Sequence, residues 1–102
     1  MQVALLTSDE YQSSIKRWLA DEGHLVFSVV SATALASLLG EREIDCIIAD
    51  TESVEPLDSA LTSGYRCLLL DGQRPGWSTV SLPLRRRMLL SMLRSPALSS
   101  GN

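Results

Sequence analysis

The sequence predicts an α/β fold in which helices cover both faces of a parallel sheet. Apolar runs typical of buried strands alternate with segments of helical periodicity along the chain. Residues 44–50 contain four consecutive apolar residues between acids, as expected for a short strand that is buried on both faces. The 102 residues, 45% of them hydrophobic, suffice for one compact domain with one core.

The first two strand and helix pairs follow from apolar spacing and capping residues. Residues 3–6 predict a strand, and Thr7 or Ser8 can cap the helix that follows it. Gly23 is predicted to end this helix. Residues 24–30 predict the second strand, and Ser31 caps a helix over residues 32–39 that Gly40 ends. The apolar stripe of the first helix consists of Tyr11, Ile15, Trp18 and Leu19.

Two apolar runs end in an acid and share one spacing. Cys46 lies four residues before Asp50, and Cys67 lies four residues before Asp71. If these strands are parallel neighbours in that register, both carboxylates reach the same edge of the sheet. Ligands of open α/β sheets bind beyond the carboxyl ends of the strands, so Asp50 is the first candidate site residue. The alternative is that Asp50 caps the next helix, which is predicted to start at Pro56.

The last part of the chain is short for a complete helical crossover. Residues 72–77 predict a turn-rich loop, residues 79–82 a short strand, and residues 84–93 a final helix. Only the 11 residues 72–82 separate Asp71 from Pro83, and a helical crossover needs about 10–12 residues before its strand is counted. The helix in this crossover is therefore predicted to be missing or reduced to one turn. An antiparallel hairpin is the alternative.

Composition excludes several functional classes. The net charge of −3 and the pI of about 5.0 disfavour nucleic-acid binding. No apolar run approaches the roughly 20 residues that span a membrane, and no signal peptide is recognisable, so a cytoplasmic protein is expected. Cys46 and Cys67 lie in apolar runs without a CxxC motif, which predicts buried free thiols rather than a zinc site.

Nearly the whole chain resembles a response-regulator receiver domain, the CheY-like fold. The resemblance is carried by Asp-Cys-Ile-Ile-Ala-Asp at 45–50, Trp-Leu-Ala-Asp-Glu-Gly at 18–23 and Leu-Pro-Leu at 82–84. It implies a three-layer flavodoxin-like fold with strand order 2-1-3-4-5, and it makes Asp50 equivalent to the phosphoacceptor. It also implies a regulatory, non-enzymatic domain over residues 1–95. Residues 96–102 would then be a flexible tail or a linker to a DNA-binding output domain in a longer chain.

The positions that accompany the phosphoacceptor in that family differ here. The acidic pair after the first strand is replaced by Thr-Ser-Asp at 7–9, which leaves Asp9 at most. Asp71 stands where Ser or Thr is expected, and Leu82 stands where Lys is expected before Pro83.

These departures remove the positive charge that phosphoryl transfer requires, and they add a second carboxylate near Asp50. One carboxyl of a close pair should titrate high. We therefore expect an atypical regulatory domain that works without phosphorylation. The alternatives are a true phosphoacceptor that uses Asp50, and a small flavodoxin-like ligand-binding module.

The sequence also predicts an acidic pocket. Carboxylate oxygens are suited to hard cations, so weak Mg²⁺ or Ca²⁺ binding is conceivable at such a pocket. No ligand spacing in the sequence is specific, however, and solvated or capping acids are the favoured interpretation, with no cofactor and no metal. The pocket residues are Asp9, Glu10, Asp50, Glu52 and Asp71.

A candidate interaction face surrounds the final helix. Cations at a helix N-terminus oppose the helix dipole at a cost of about 0.3–1 kcal/mol each. A solvated charge run is the favoured interpretation, and the alternative is a compensating carboxylate of the chain, a partner subunit or a phosphate. The apolar stripe of the final helix is predicted to consist of Leu84, Met88, Leu89, Met92 and Leu93, with its methionines in the core. The alternative is that, without a crossover helix, part of this stripe is uncovered and available for homodimerisation. The tryptophan is expected to fold back over the core where that helix would have been. The face comprises Arg85, Arg86, Arg87, Met88, Met92 and Trp77.

Overall fold

One parallel sheet organises the molecule, in the order β2-β1-β3-β4-β5. The computed structural model describes residues 1–54, 57, 59–62, 64–80 and 84–94, except for the side chains of residues 9, 59, 60 and 94. The strands are β1 Gln2–Leu6, β2 Leu25–Ser28, β3 Cys46–Asp50, β4 Arg66–Leu70 and β5 Ser78–Val80. The helices within these residues are α1 Asp9–Asp21, α2 Ala32–Glu41, α3 Thr51–Val54, α4 Ser59–Thr62 and α5 Arg86–Arg94.

Apolar clusters cover both faces of the sheet, which gives the predicted three layers. Every residue of β3 is buried, as the uninterrupted apolar run predicted. One cluster joins the sheet to α1 and α5 through Ile15 and Leu89. The other joins it to α2 and the region after α3 through Leu35 and Leu57. The predicted α/β class and the strand order 2-1-3-4-5 are confirmed.

Two helix boundaries differ from the prediction. Gly40 does not end α2, because the helix continues and the N–H of Arg42 still donates to the carbonyl of Leu38. A Cβ at Gly40 would meet no atom within 4 Å, so neither a turn nor a close approach requires glycine there. The helix after β3 begins at Thr51 rather than at Pro56, because Asp50 caps it directly. Pro56 lies outside the described residues.

The crossover from β4 to β5 is a loop. Residues 71–77, all of which the structure describes, contain no helix, and β5 is parallel to β4. The prediction that this crossover lacks a helix is thus confirmed, and the alternative of an antiparallel hairpin is wrong. β4 ends at Leu70, and the first residue of β5, Ser78, pairs with Leu68. The loop therefore has to run back along the sheet by only two residues of a strand, about 7 Å, before β5 begins. Positive φ angles at Asp71 (53°) and Gly76 (84°) turn the loop.

Side chains fasten this loop to the rest of the fold. The guanidinium of Arg74 donates to the carbonyl of Val54 at 2.7 Å and to that of Leu57 at 2.5 Å. The half-buried Trp77 packs against the cluster on the α2 side of the sheet. The prediction that Trp77 folds back over the core is therefore confirmed, and the loop takes over the covering role of a crossover helix.

The buried face of α5 is rotated relative to the predicted stripe. Leu89, Leu90 and Leu93 are buried, whereas Met88 is 38% exposed. The inward position predicted for Met88 is wrong, and Leu90 was missed. Leu84 precedes the helix, so a stripe counted from that residue has the wrong phase.

Met92 is half-buried and packs against the α1 and α5 cluster, as predicted for a core residue. Leu82, Pro83 and the predicted tail at residues 96–102 lie outside the described residues. No helix among the described residues is long and apolar enough to cross a bilayer.

Candidate functional site

The two acid-ended strands are neighbours, but their register differs from the prediction by one residue. Cys67 pairs with Ile47, and Asp50 pairs with Leu70, so Asp71 follows one position beyond Asp50. The side chains explain the offset. Cys46 belongs to the cluster on the α1 and α5 side, and Cys67 belongs to the cluster on the α2 side. Directly paired residues point to the same face, so these two cysteines cannot be paired with each other.

A pocket of about 390 Å³ lies beyond the carboxyl ends of β1, β3 and β4. Asp50 is buried in it, with 7% of the residue exposed, whereas Glu10, Glu52 and Asp71 are exposed at its rim. The structure therefore brings four of the five predicted acids together, and the side chain of Asp9 lies outside what it describes. The lining consists of Ser8, Glu10, Tyr11, Asp50, Thr51, Glu52, Leu70 and Asp71.

Both carboxylate oxygens of Asp50 accept backbone hydrogen bonds. The N–H of Ser8 donates to Oδ2 at 2.8 Å, and the N–H of Ser53 donates to Oδ1 at 2.8 Å. The first bond ties the β1–α1 turn to β3, and the second caps α3. Asp50 is thus both a pocket residue and the helix cap that the sequence offered as its alternative role.

The charged form of Asp50 is favoured by these contacts. Desolvation by burial acts to raise the pKa of Asp50, but hydrogen bonding by Ser53 and Ser8 outweighs it, and the pKa lies below the ordinary value of an aspartate. The expectation that one carboxyl of a close pair titrates high is not met at Asp50. Hydrogen bonds from Ser53 and Ser8, through their side chains as well as their backbone N–H groups, stabilise its charge.

The sequence analysis missed Thr51 and Gly72 as site residues. The hydroxyl of Thr51 donates to the carbonyl of Leu70 at 3.1 Å and to that of Asp71 at 2.9 Å, so it fixes the end of β4 beside Asp50. A Cβ at Gly72 would lie 2.6 Å from Oγ1 of Thr51, and therefore only glycine allows this close approach. A hydroxyl residue directly after a strand-end acid, and a glycine directly after Asp71, are the signals that could have identified the pair.

Tyr11 is a second missed residue, since the sequence placed it only in the apolar stripe of α1. It packs on the core and also lines the pocket. Desolvation, the adjacent carboxylate of Glu10 and the more distant carboxylates of Asp71 and Asp50 raise the pKa of Tyr11 above its usual value. Its hydroxyl consequently stays protonated at neutral pH and is a hydrogen-bond donor at the rim.

Metal-ligating side chains are not clustered among the described residues, which do not include the side chain of Asp9. Within the described part of the chain, no three His, Cys, Asp or Glu side chains are grouped so that they could hold a metal ion. The oxygens of Asp50 already accept backbone N–H groups, and Ser8 presents its N–H rather than a carboxylate. No Lys or Arg is among the described lining residues either.

The arginines at the start of α5 have different surroundings. Arg86 lies 3.9 Å from Oδ2 of Asp21 and 3.5 Å from Oε2 of Glu22. For this arginine the alternative interpretation holds, because carboxylates of the chain itself compensate its charge. Arg85 and Arg87 are exposed. Together with the partly exposed Met88, they form an accessible surface, which we call the α5 surface.

The two cysteines are buried free thiols, as predicted. Burial raises the pKa of Cys46 to about 12 and that of Cys67 to about 11. They lie in clusters on opposite faces of the sheet. Both thiols are therefore protonated core residues with low reactivity.

Comparison with known proteins identifies the architecture. No protein-family model and no curated protein matches this sequence. The receiver domain of TorR, the response regulator of TMAO respiration, matches with a TM-score of 0.76 at 19% identity, over 91% of this chain and 92% of that chain. The receiver domain of the hybrid histidine kinase CckA matches with a TM-score of 0.75 at 15% identity, over 92% and 96%.

A multidomain protein matches in the same way. NtrX from Brucella abortus gives a TM-score of 0.74 at 14% identity, over 91% of this chain but only 26% of that chain. In all three cases the likeness covers almost the whole of this chain. Together with the strand order and the place of Asp50 at the end of the central strand, these matches show that the chain has the CheY-like fold of response-regulator receiver domains.

Proposed function

We propose that the chain is a receiver-like regulatory domain of a bacterial signalling or transcription regulator, which acts through protein contacts without phosphorylation of Asp50. The observation that carries this proposal is that both carboxylate oxygens of Asp50 accept backbone N–H groups. The role of this carboxylate is then to hold the β1–α1 turn and the start of α3 in place.

Charge supports the same conclusion. Phosphoryl transfer needs positive charge to neutralise the oxygens of the transferring group, and the described lining of the pocket offers only carboxylates and neutral groups. Glu10, Glu52 and Asp71 would repel an incoming phosphate at short range. Phosphorylation of Asp50 would also turn one of its two oxygens into the bridging oxygen of an acyl phosphate, which would weaken the hydrogen bond that this oxygen accepts from Ser8 or Ser53.

The proposed protein contacts use the α5 surface. Arg85 and Arg87 are exposed there beside Met88, which is 38% exposed. Homodimerisation through this surface is the simplest arrangement. NtrX shows that such a domain can be a minor part of a longer protein. A DNA-binding output domain C-terminal to this domain, in a cytoplasmic regulator, belongs to the same proposal.

Incubation with Mg²⁺ and acetyl phosphate, followed by intact-mass measurement, tests the absence of phosphorylation. We expect no phosphate adduct on the wild type or on Asp50→Asn. An adduct on the wild type that is lost in Asp50→Asn would identify a true phosphoacceptor and overturn the proposal. An established receiver domain in the same reaction confirms that the phosphodonor is active.

Sedimentation over a concentration series tests the α5 contact separately. We expect self-association that Met88→Lys weakens, since a buried apolar contact would be replaced by a charge. Lys16→Ala, at an exposed position on α1, serves as the matched surface variant. An oligomeric state that Met88→Lys leaves unchanged would remove α5 from the interface.

A further inference from the structure

The outer edge of β2 is the least protected surface among the described residues. β2 is the terminal strand of the sheet, and residues 25–30 contain no charged residue, proline or glycine. Natural edge strands are normally protected by charges, proline or bulges, because an open strand edge pairs readily with another strand. The opposite edge strand, β5, has only three residues, and two of these are polar.

Exposed apolar side chains are concentrated at the same edge. Among the described residues, four large hydrophobic side chains are exposed. Leu25 (59%) and Val30 (91%) belong to this segment, and Met1 (40%) accepts the hydrogen bond that begins the pairing of β2 with β1. The fourth is Met88 on α5. Leu25 is thus the exposed large hydrophobic residue within β2 itself among the described residues, while Val30 lies two residues beyond the end of β2 and Met1 lies directly before β1.

The hydrogen bonds to β1 show which backbone groups of β2 are unused. The N–H of Leu25 donates to Met1, and the N–H of Val29 donates to Leu5, so the odd-numbered residues face β1. Backbone groups alternate in direction along a strand. The N–H and C=O groups of Val26 and Ser28 therefore point away from the sheet.

The free N–H and C=O groups on the edge of β2 can pair with the same groups of a second copy. In an antiparallel pair with a two-fold axis at Phe27, Val26 of one copy lies opposite Ser28 of the other, and each such pair exchanges two hydrogen bonds. Leu25 then lies opposite Val29, and the two Phe27 side chains lie side by side on the same face. Arg42, whose guanidinium carbon lies 4.7 Å from the Phe27 ring centroid, covers that ring.

We propose that a second copy of this chain pairs with the edge of β2, which joins the two sheets into one of ten strands around a two-fold axis. The charge of the chain is compatible with such pairing, since the paired segments are neutral and each copy carries a net charge of only −3. The contact is small beside a standard interface of about 1,600 Å², so the dimer is weak and forms only at high concentration. This interface is separate from the α5 surface and does not depend on it.

Amide hydrogen exchange of the intact chain, measured by NMR at low and high protein concentration, tests this interface residue by residue. The amide of Phe27 should exchange slowly at both concentrations, because it is bonded to β1. The amides of Val26 and Ser28 should exchange quickly in the monomer and at least tenfold more slowly in the dimer. A monomer at every concentration would overturn the proposal, as would a dimer in which these two amides stay unprotected.

Two lysine substitutions and a matched control complete the experiment. Leu25→Lys and Val30→Lys alter exposed side chains, so the fold should tolerate them. Leu25→Lys, within the paired segment, should weaken the pairing at least tenfold, and Val30→Lys, one residue beyond that segment, should weaken it less. Met88→Lys should leave the protection of Val26 and Ser28 unchanged, which distinguishes this edge from the α5 contact. Protection of these amides only after another protein is added would overturn the assignment of a second copy. Irreversible aggregation without a discrete dimer would do the same.

Discussion

The backbone N–H of Ser8 lies 2.8 Å from Oδ2 of Asp50 and joins the turn after β1 to the end of β3. The N–H of Ser53 occupies the other oxygen of the same carboxylate. A hydrogen bond to a charged group contributes about 1.5–3 kcal/mol, more than one between neutral groups. Asp50 therefore has a clear structural role at the position where receiver domains carry a reactive group.

The first prediction concerns Asp50→Asn. The amide keeps one oxygen acceptor but turns an NH₂ donor toward a backbone N–H, so one hydrogen bond is lost and a donor is left unpaired. We expect the free energy of unfolding to fall by about 1–3 kcal/mol, measured by urea denaturation. The exposed Asp71→Asn is the matched control and should stay within about 0.5 kcal/mol of the wild type. A more stable Asp50→Asn protein would show instead that charge repulsion dominates at this site.

The second prediction concerns pH. The pKa of Asp50 is lowered in the folded state, so its contribution to stability is fully present above the unfolded value of about 3.9 and is lost as pH falls through the folded pKa. The stability difference between the wild type and Asp50→Asn should therefore be constant near neutral pH and shrink below about pH 4. Urea denaturation at several pH values measures it. A difference that grows on acidification would contradict the lowered pKa.

The third prediction concerns the close approach of Gly72 to Thr51. Gly72→Ala should destabilise the protein by about 1–3 kcal/mol, because the new methyl group would lie 2.6 Å from the Thr51 hydroxyl. Gly40→Ala is the matched control, since α2 has open space there and alanine favours a helix by about 0.5–1 kcal/mol.

A double variant separates the steric cause from a general effect of the loop. In Thr51→Ala combined with Gly72→Ala, the clashing hydroxyl is absent, so the second substitution should cost clearly less than it does alone. Additive costs would mean that the two residues do not interact in the way the distance indicates.

The fourth prediction concerns Arg86. Its partners and its own side chain are between 30% and 51% exposed, so solvent screens the ion pairs. Arg86→Ala should lower the free energy of unfolding by no more than about 1 kcal/mol, and by less at high salt. Arg87→Ala, at an exposed neighbouring position, is the control. A large effect that persists at high salt would point to a role of Arg86 in packing.

The sequence pattern predicted the central strand and the absence of a crossover helix, whereas the strand order came from the resemblance to receiver domains. The continuous apolar run before Asp50 identified the central strand, and the small number of residues after Asp71 showed that a crossover helix would not fit. Both inferences depend on residue counts and hydrophobicity, which the sequence contains directly. The register was off by one because equal spacing of Cys46 and Cys67 does not reveal that they face opposite layers.

The hydrogen bonds of the site could not be predicted from the sequence. Every residue except proline has a backbone N–H, so nothing in the sequence marks Ser8 and Ser53 as the donors to Asp50. The rotation of α5, which buries Leu90 and exposes Met88, depends on where the helix begins. The run Met-Leu-Leu-Ser-Met-Leu at 88–93 has apolar residues on more than one side of a helix, so it does not determine where the helix begins.

The most direct test of the account is an NMR titration of the Asp50 side-chain carboxyl carbon, with the amide signals of Ser8 and Ser53 followed in the same samples. We predict a pKa below the ordinary aspartate value of about 3.9, with both amide signals shifting at that same pH. An Asp50 pKa at or above the ordinary value, with amide signals that do not follow it, would contradict the conclusion that the backbone holds this carboxylate.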